Sequence, residues 1–404
     1  MRVAVIHPLK HHVYYSMAGV MESGAEVIGL FGYYDKNDFL DKIVRKTKWK
    51  KQIDGYKYEK ISKCVKTNLF VKALFLLAKA KPKQFQKLYD WAFETWVIHN
   101  LKGVDCIHVL QDYENKVIRV AKKRNIKIVY EQITPFDVEV MQCLKNEVKI
   151  AGFPTSYIET RYSQDKLDKQ LENLKISDVI IAASKVTERS LSNYTDKIVY
   201  TFPYGAEQTI SSEKMSDDII AEKKAKKVLK VLCVSSISLI KGTRYVIRAA
   251  QRLEGEPFEF VFVGKPNRTE DSRLVEMIKE QNNCTYIQSV PHTEINSLYK
   301  EHDIFVFQGL CEGFGMVTLE AMANGLPCMV STGGCGIITD GKDGFINDNG
   351  DVDKLTENLR TLMKDRDRLV QMGIEAKKSA RKCTWEGFSS NIANVYRISF
   401  QQNS

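Results

Sequence analysis

Short apolar runs alternate with helix-patterned segments along this chain, and the alternation is interrupted once. In the first half, residues 3–6 form an apolar run. A loop follows at 7–12, then a helical pattern to Ser23 ended by Gly24, then a second run at 26–30. Runs this short and continuous predict buried strands, and the strand–loop–helix–strand order predicts the start of a parallel, doubly wound sheet. Further strands are expected at 105–110, 127–130, 178–183 and 197–201, with helices at 115–124, 155–174 and 187–194.

Residues 211–227 break the pattern. They are polar and charged, with Lys223, Lys224, Lys226 and Lys227 in one run, and read as a solvated linker. Strands then resume at 229–234, 259–263, 284–288, 304–307 and 327–331. Helices are expected at 243–253, 293–301, 317–324, 352–364, 366–380 and 385–401. The expected fold class is α/β, with two Rossmann-like doubly wound domains facing a cleft. The division is 1–210, linker 211–227, 228–383, and a terminal helix within 384–404. A length of 404 residues accommodates this, at roughly 100–200 residues per domain.

Charge is unevenly placed. The formal net charge is +10, and residues 36–90 hold 16 Lys+Arg against 5 Asp+Glu, a net of +11. Such a segment favours anionic partners. Leu69, Val71, Ala73, Leu74, Leu77 and Ala78 form a broad apolar face there, ringed by Lys66, Lys72, Lys79 and Lys81. It reads either as a helix packed on its own domain or as an interfacial helix on an anionic membrane. The apolar start of the chain is too short for a signal peptide, and no run approaches the roughly 20 residues of a membrane span. Nine scattered cysteines without a Cys-x-x-Cys pair suggest neither a disulfide framework nor a zinc site. A reducing, cytoplasmic setting is the simpler reading.

The chemistry concentrates after the run at 304–307. Gly313 and Gly315 let the backbone approach a ligand closely. A helix then begins near Met316, and its first amides lack intrahelical partners, which makes an anion site. Glu312 stands before that helix and Glu320 one turn into it. A carboxylate can accept two hydroxyls of a sugar or ribose. The plainer alternative is a loop charge and a solvated helix residue.

Glu312 and Glu320, with Gly-Phe-Gly after the first and Glu-Ala-Met-Ala-Asn-Gly-Leu-Pro from the second, resemble the signature of retaining glycosyltransferase family 4. Further likenesses are 290–299, Phe202-Pro-Tyr-Gly-Ala-Glu, Ser177-Asp178 with Ala183-Ser184, and Thr384-Trp385-Glu386. The resemblance implies a GT-B fold whose last helix crosses back to the first domain. It implies a hexosyltransferase-type enzyme that moves a sugar from a nucleotide-sugar to a hydroxyl acceptor of a glycan, glycolipid or similar glycoconjugate. Glu312 would contact the transferred sugar. Gly313, Phe314, Gly315, Met316 and Val317 would line sugar and diphosphate, with Ser236 and Gly264 nearby. Glu320 would hold the ribose, and Lys241 would neutralise the departing diphosphate. No cofactor and no divalent metal are expected, the nucleotide-sugar being a substrate.

The chain departs from the family in three places. Ser236 stands where the family carries an arginine, for which Arg244, Arg268 or a first-domain cation would have to substitute. Lys10, His11 and His12 replace a Gly-Gly loop and are candidates for phosphate or acceptor contacts. Glu131 and Gln132 stand near the family's usual first-domain histidine and are candidates for sugar contacts. His108, inside a strand, reads as a core histidine. Two competing functions remain: a GT-B-fold nucleotide-sugar epimerase, and a nucleic-acid binder built on residues 36–90. No regular interleaving of aromatic with basic residues supports the latter, so nucleic acid is not expected as a partner. A lipid-linked acceptor at an anionic inner membrane face would suit the basic segment.

Overall fold

The computed structural model describes residues 1–9, 12–47, 50–53, 55–111, 115–159, 164–206, 217–291 and 294–400. Lys10 and His11 lie outside them, as do 211–216 of the expected linker. Seven parallel strands build the first sheet: β1 (Arg2–His7), β2 (Glu26–Phe31), β3 (Val65–Lys66), β4 (Cys106–Leu110), β5 (Lys127–Gln132), β6 (Val179–Ala182) and β7 (Val199–Thr201). Their order is β3-β2-β1-β4-β5-β6-β7. Six parallel strands build the second: β8 (Leu229–Val234), β9 (Phe258–Val263), β10 (Cys284–Ile287), β11 (Ile304–Phe307), β12 (Cys328–Ser331) and β13 (Gly344–Asn347). Their order is β10-β9-β8-β11-β12-β13.

The central strands are buried along their length, β4 and β11 entirely. Burial on both faces is why their sequences do not alternate. In each sheet the order reverses at one point, between β1 and β4 and between β8 and β11. The loops leaving the carboxyl ends of strands at such a point form the crevice where ligands bind in open α/β sheets.

Sequence and structure differ in several segments, among them the unanticipated helices Asp137–Ala151 and Ser272–Lys279. β3 and β13 were not anticipated. β3 has only two residues, and β13 opens on Gly344, whose added Cβ would sit 2.1 Å from the Cys328 carbonyl oxygen. Of the helical stretch expected at 155–174, the described residues form helices at Ser156–Glu159 and Gln164–Ile176, and 160–163 lie outside them. The expected linker contains a helix, Asp217–Ala225. Its Lys223 is not solvated: it is buried and donates to the His302 carbonyl at 3.0 Å. Lys72, expected on a polar rim, is fully buried and reaches Asp38 and Asp41, both at 2.6 Å.

A further helix, Asp137–Ala151, follows β5 in sequence but packs into the second domain. Val140, Leu144 and Val148 repeat at helical spacing and share a core with Val231, Ile247 and Ile304. On the same helix Glu147 accepts from Arg244 Nε at 2.8 Å and from the Tyr245 hydroxyl at 2.5 Å. The last helix, Trp385–Phe400, crosses back to Val13–Glu22. Ser389 donates to the Tyr15 carbonyl at 2.9 Å, and Gly19 leaves no room for a Cβ, which would meet the Ser389 carbonyl at 2.3 Å. All nine cysteines are free thiols. Among the described residues no helix is long and apolar enough to cross a membrane.

Arg244 and Glu147 are both buried. Removing one partner strands the other charge away from water. Glu147→Ala is therefore expected to destabilise the protein by about 3–5 kcal/mol, read as a lower urea midpoint. An unchanged midpoint would mean that Arg244 finds other partners.

Candidate active site

The loops after β1, β5, β8 and β11 converge on a cavity of ≈ 1060 Å³ between the domains. Its second-domain wall is built from Ser235, Ser236, Lys241, Glu312, Gly313, Phe314, Gly315, Met316, Val317 and Glu320. The loop after β8 carries Lys241. It is fixed to the loop after β11 by Leu310 N–H donating to the Ile240 carbonyl at 2.9 Å. Gly242 permits this closeness, since a Cβ there would fall 1.8 Å from the Gln308 carbonyl oxygen. Lys241 Nζ consequently pairs with the Glu312 carboxylate. The Glu312 amide is itself anchored to the Gly333 carbonyl at 2.7 Å.

Gly315 caps the helix Met316–Ala323 in a left-handed conformation, φ 80°. As the first amides of that helix, those of Met316 and Val317 have no intrahelical acceptor, and both residues line the cavity. That end of the helix favours negative charge. Glu320 lines the cavity one turn further on, and the Tyr299 hydroxyl donates to its Oε2 at 3.0 Å. Gly313 touches the first domain: a Cβ there would lie 2.3 Å from the Ile133 carbonyl oxygen. Its own carbonyl accepts from Ser184 Oγ and from Thr187 Oγ1. Ser184 also caps its own helix, Lys185–Leu191, by accepting from the Thr187 amide at 3.2 Å.

On the first-domain wall, His12 lines the cavity, but Glu131 and Gln132 do not. Both are fully buried, so direct sugar contact by either is corrected here. Gln132 turns inward and donates to the Thr134 carbonyl at 2.8 Å, leaving Ile133 and Thr134 as the lining residues. Glu131 holds His12 Nε2 on one oxygen and accepts from Ser16 Oγ on the other at 3.0 Å. His108 Nε2 lies 3.0 Å from that second oxygen, and its Nδ1 lies 3.1 Å from the Tyr396 hydroxyl. His108 is thus a fully buried, satisfied histidine. Burial pushes the Glu131 carboxyl up, but the charges and hydrogen bonds of His12 and His108 outweigh it. They hold it well below the usual carboxylate range.

Three more expectations change. Gly264 lies behind the cavity; a Cβ there would meet the Ser235 carbonyl at 1.8 Å, so it supports the Ser235–Ser236 loop. Arg244 is committed to Glu147, and Arg268 stacks on Tyr157 and donates to its carbonyl; neither lines the cavity. Among the described residues, the first-domain lysine that does line it is Lys57, which the sequence did not single out. Tyr14, Tyr15, Tyr58, Tyr204 and Trp385 were missed as lining residues too. Tyr204 and Trp385 sit in two of the motifs quoted above. Their joint use was signalled by Gly205, whose Cβ would fall 2.1 Å from the Trp385 amide.

The fold and the cleft define a two-domain GT-B protein. The sequence model of the family described as glycosyl transferases group 1 matches residues 215–379, which take in most of the second domain. The chain is similar to a D-inositol 3-phosphate glycosyltransferase of Corynebacterium urealyticum, 26% identical over 176 residues. That alignment covers 41% of this chain and 42% of the relative. It is also similar to the sulfoquinovosyl transferase SQD2 of Arabidopsis thaliana, 35% identical over 106 residues, covering 25% of this chain and 21% of that one. The chain therefore spans less than half the length of these curated relatives. Among solved structures, Anabaena Alr3699/HepE in complex with UDP-glucose matches with a TM-score of 0.64 at 14% identity, covering 98% of this chain and 100% of that one. Sucrose-phosphate synthase from Thermosynechococcus elongatus matches with 0.63 at 17%, covering 100% of each.

The depressed Glu131 carboxyl ties stability to pH. A carboxyl whose folded pKa is lowered contributes stability that is present above its unfolded pKa, about 4.3 for Glu, and is lost as pH falls through the folded value. Stability should therefore decline below about pH 4.3. Glu131→Gln should be less stable at neutral pH and show a flatter acid limb, measured by urea unfolding from pH 3 to pH 7. Parallel acid limbs would remove Glu131 as the cause.

Proposed function

We propose that this protein is a retaining glycosyltransferase of family 4. In this reading it moves a hexosyl group from a nucleotide diphosphate-sugar to an acceptor hydroxyl in polysaccharide or glycoconjugate synthesis. One observation carries the reading: Lys241, Glu312, the Gly313–Val317 turn and Glu320 share one wall of one interdomain cavity. The helix start and Lys241 supply positive potential where the diphosphate leaves. Glu312 meets the transferred sugar and Glu320 the ribose hydroxyls. The leaving phosphate takes the acceptor proton as the hydroxyl attacks from the same face. No divalent metal is required in this reading, because Lys241 and the helix amides meet the developing charge.

A thermal-shift panel of UDP, GDP, ADP and their sugars tests the donor site. A ligand at a hundred times its Kd adds about 2.7 kcal/mol, and Glu320→Ala should lose most of the resulting shift. No shift with any nucleotide would overturn the reading. Formation of an isomeric nucleotide-sugar without acceptor would favour an epimerase.

The acceptor in this reading is lipid-linked, and the protein sits peripherally on the anionic inner face of a membrane. Support comes from six exposed large apolar side chains within the basic segment, Phe39, Ile43, Leu69, Phe70, Leu77 and Leu88, and from Trp91 just beyond it. Phe39 with Ile43, Phe70 with Leu77, and Leu88 with Trp91 each share a helix face by their spacing. Apolar contact plus a net positive field is the combination that holds a protein on an anionic surface. In liposome flotation the protein should rise with vesicles containing anionic lipid, and Phe70→Ser/Trp91→Ser should reduce this several-fold. Equal behaviour with neutral and anionic vesicles would remove the idea.

A further inference from the structure

The cavity has a first-domain wall that the donor reading leaves unused. From Phe314 in the Gly-Phe-Gly turn, aromatic rings follow one another across it. Phe314 lies 5.1 Å from Tyr204 between centroids, Tyr204 6.0 Å from Trp385, Trp385 4.2 Å from Tyr15, and Tyr15 5.1 Å from Tyr58. Tyr15 and Trp385 are stacked within 6° of parallel. Phe314 and Tyr204 are buried, whereas Trp385, Tyr15 and Tyr58 are half-buried. The open part of the row therefore begins at Trp385, two rings on from Phe314 of the turn. Next to Tyr58 in sequence, the exposed Lys57 lines the same cavity.

We propose that this wall is the acceptor subsite, and that it takes a sugar or cyclic polyol carrying an anionic group. The proposal rests on the glycosyltransferase reading above and adds the chemical class of its second substrate. The C–H faces of a sugar ring are apolar and its edges carry hydroxyls. Half-buried rings offer such a face a rigid apolar surface at low entropic cost, and the tyrosine hydroxyls supply polar edges. Lys57 supplies the charge. Its Nζ pairs with Glu59 at 2.5 Å, and both side chains are exposed. An exposed pair of this kind holds little free energy, so an incoming phosphate or carboxylate can displace Glu59. Trp385 of the terminal helix packs on the first-domain rings of Tyr15 and Tyr204, so the subsite exists only once that helix has crossed back to the first domain.

The test uses the full chain with UDP present, and follows Trp385 fluorescence against a Trp385→Phe control. Probes are glucose, glucose 1-phosphate, glucuronic acid and inorganic phosphate. Glucose 1-phosphate or glucuronic acid should bind at least about tenfold more tightly than glucose, and which of them does so identifies phosphate or carboxylate as the anion. Lys57→Met should erase that preference while glucose still binds, and Tyr15→Ala should weaken every sugar. Equal binding of glucose and both anionic sugars overturns the proposal. So does a preference that survives Lys57→Met, or inorganic phosphate binding as well as glucose 1-phosphate, which would mark an ion site only. The UDP thermal shift separates the two readings. If UDP gives no shift, the donor site fails while sugar binding, repeated without UDP, still decides the subsite.

Discussion

The seating of Gly313 against the first domain is the contact on which the cleft depends. A side chain at this position would collide with the Ile133 carbonyl, and the Gly313 carbonyl is held by two first-domain hydroxyls. The turn that follows it sets where Gly315 can cap a helix, and so where that helix presents its amides. Ser184 serves both sides: just after β6, it caps the next helix and grips the turn of the other domain. The domains therefore meet through backbone at the place where the ligand would sit. Shape is fixed there more tightly than side-chain packing alone would fix it.

Charge follows the same economy. Acidic groups near the cleft are committed before any ligand arrives: Glu312 to Lys241, Glu320 to Tyr299, and Glu131 to His12, Ser16 and His108. Committed side chains have lost their rotamer freedom in advance, so less is lost on binding. Glu131 shows how position changes role. It lies two residues from the lining residue Ile133, yet its carboxylate faces inward and acts on the cavity through the imidazole of His12.

The parallel strands were legible because burial on both faces leaves continuous apolar runs, as at β1, β4 and β11. The second-domain wall of the cavity was legible because it is nearly continuous in sequence: Glu312 to Glu320 is one strand end, one turn and one helix start. The first-domain wall was not. Tyr15, Lys57 and Trp385 come from three distant segments, and no local pattern links them. Glu131 and Gln132 were misjudged because alternation along β5 cannot say which residue at its end turns outward; the structure turns Ile133. The helix Asp137–Ala151 was missed for a related reason. Its apolar stripe is ordinary, and nothing local reveals that the stripe is buried in the other domain.

The return of the terminal helix has a consequence for how the chain is made. Ser389 bonds to Tyr15 across 374 residues of sequence. While the chain is being synthesised, the face of Val13–Glu22 that carries Gly19 waits for a partner translated 374 residues after Tyr15. The second domain, in turn, fills its core with Val140 and Leu144, which were translated before its own first strand. Each half thus finishes with material from the other, and the first domain is not complete as a folding unit until the segment after the second domain has left the ribosome. Domains that mature independently expose less apolar surface during synthesis. Here the interlocking that builds the cleft also lengthens the time for which a nascent chain needs protection.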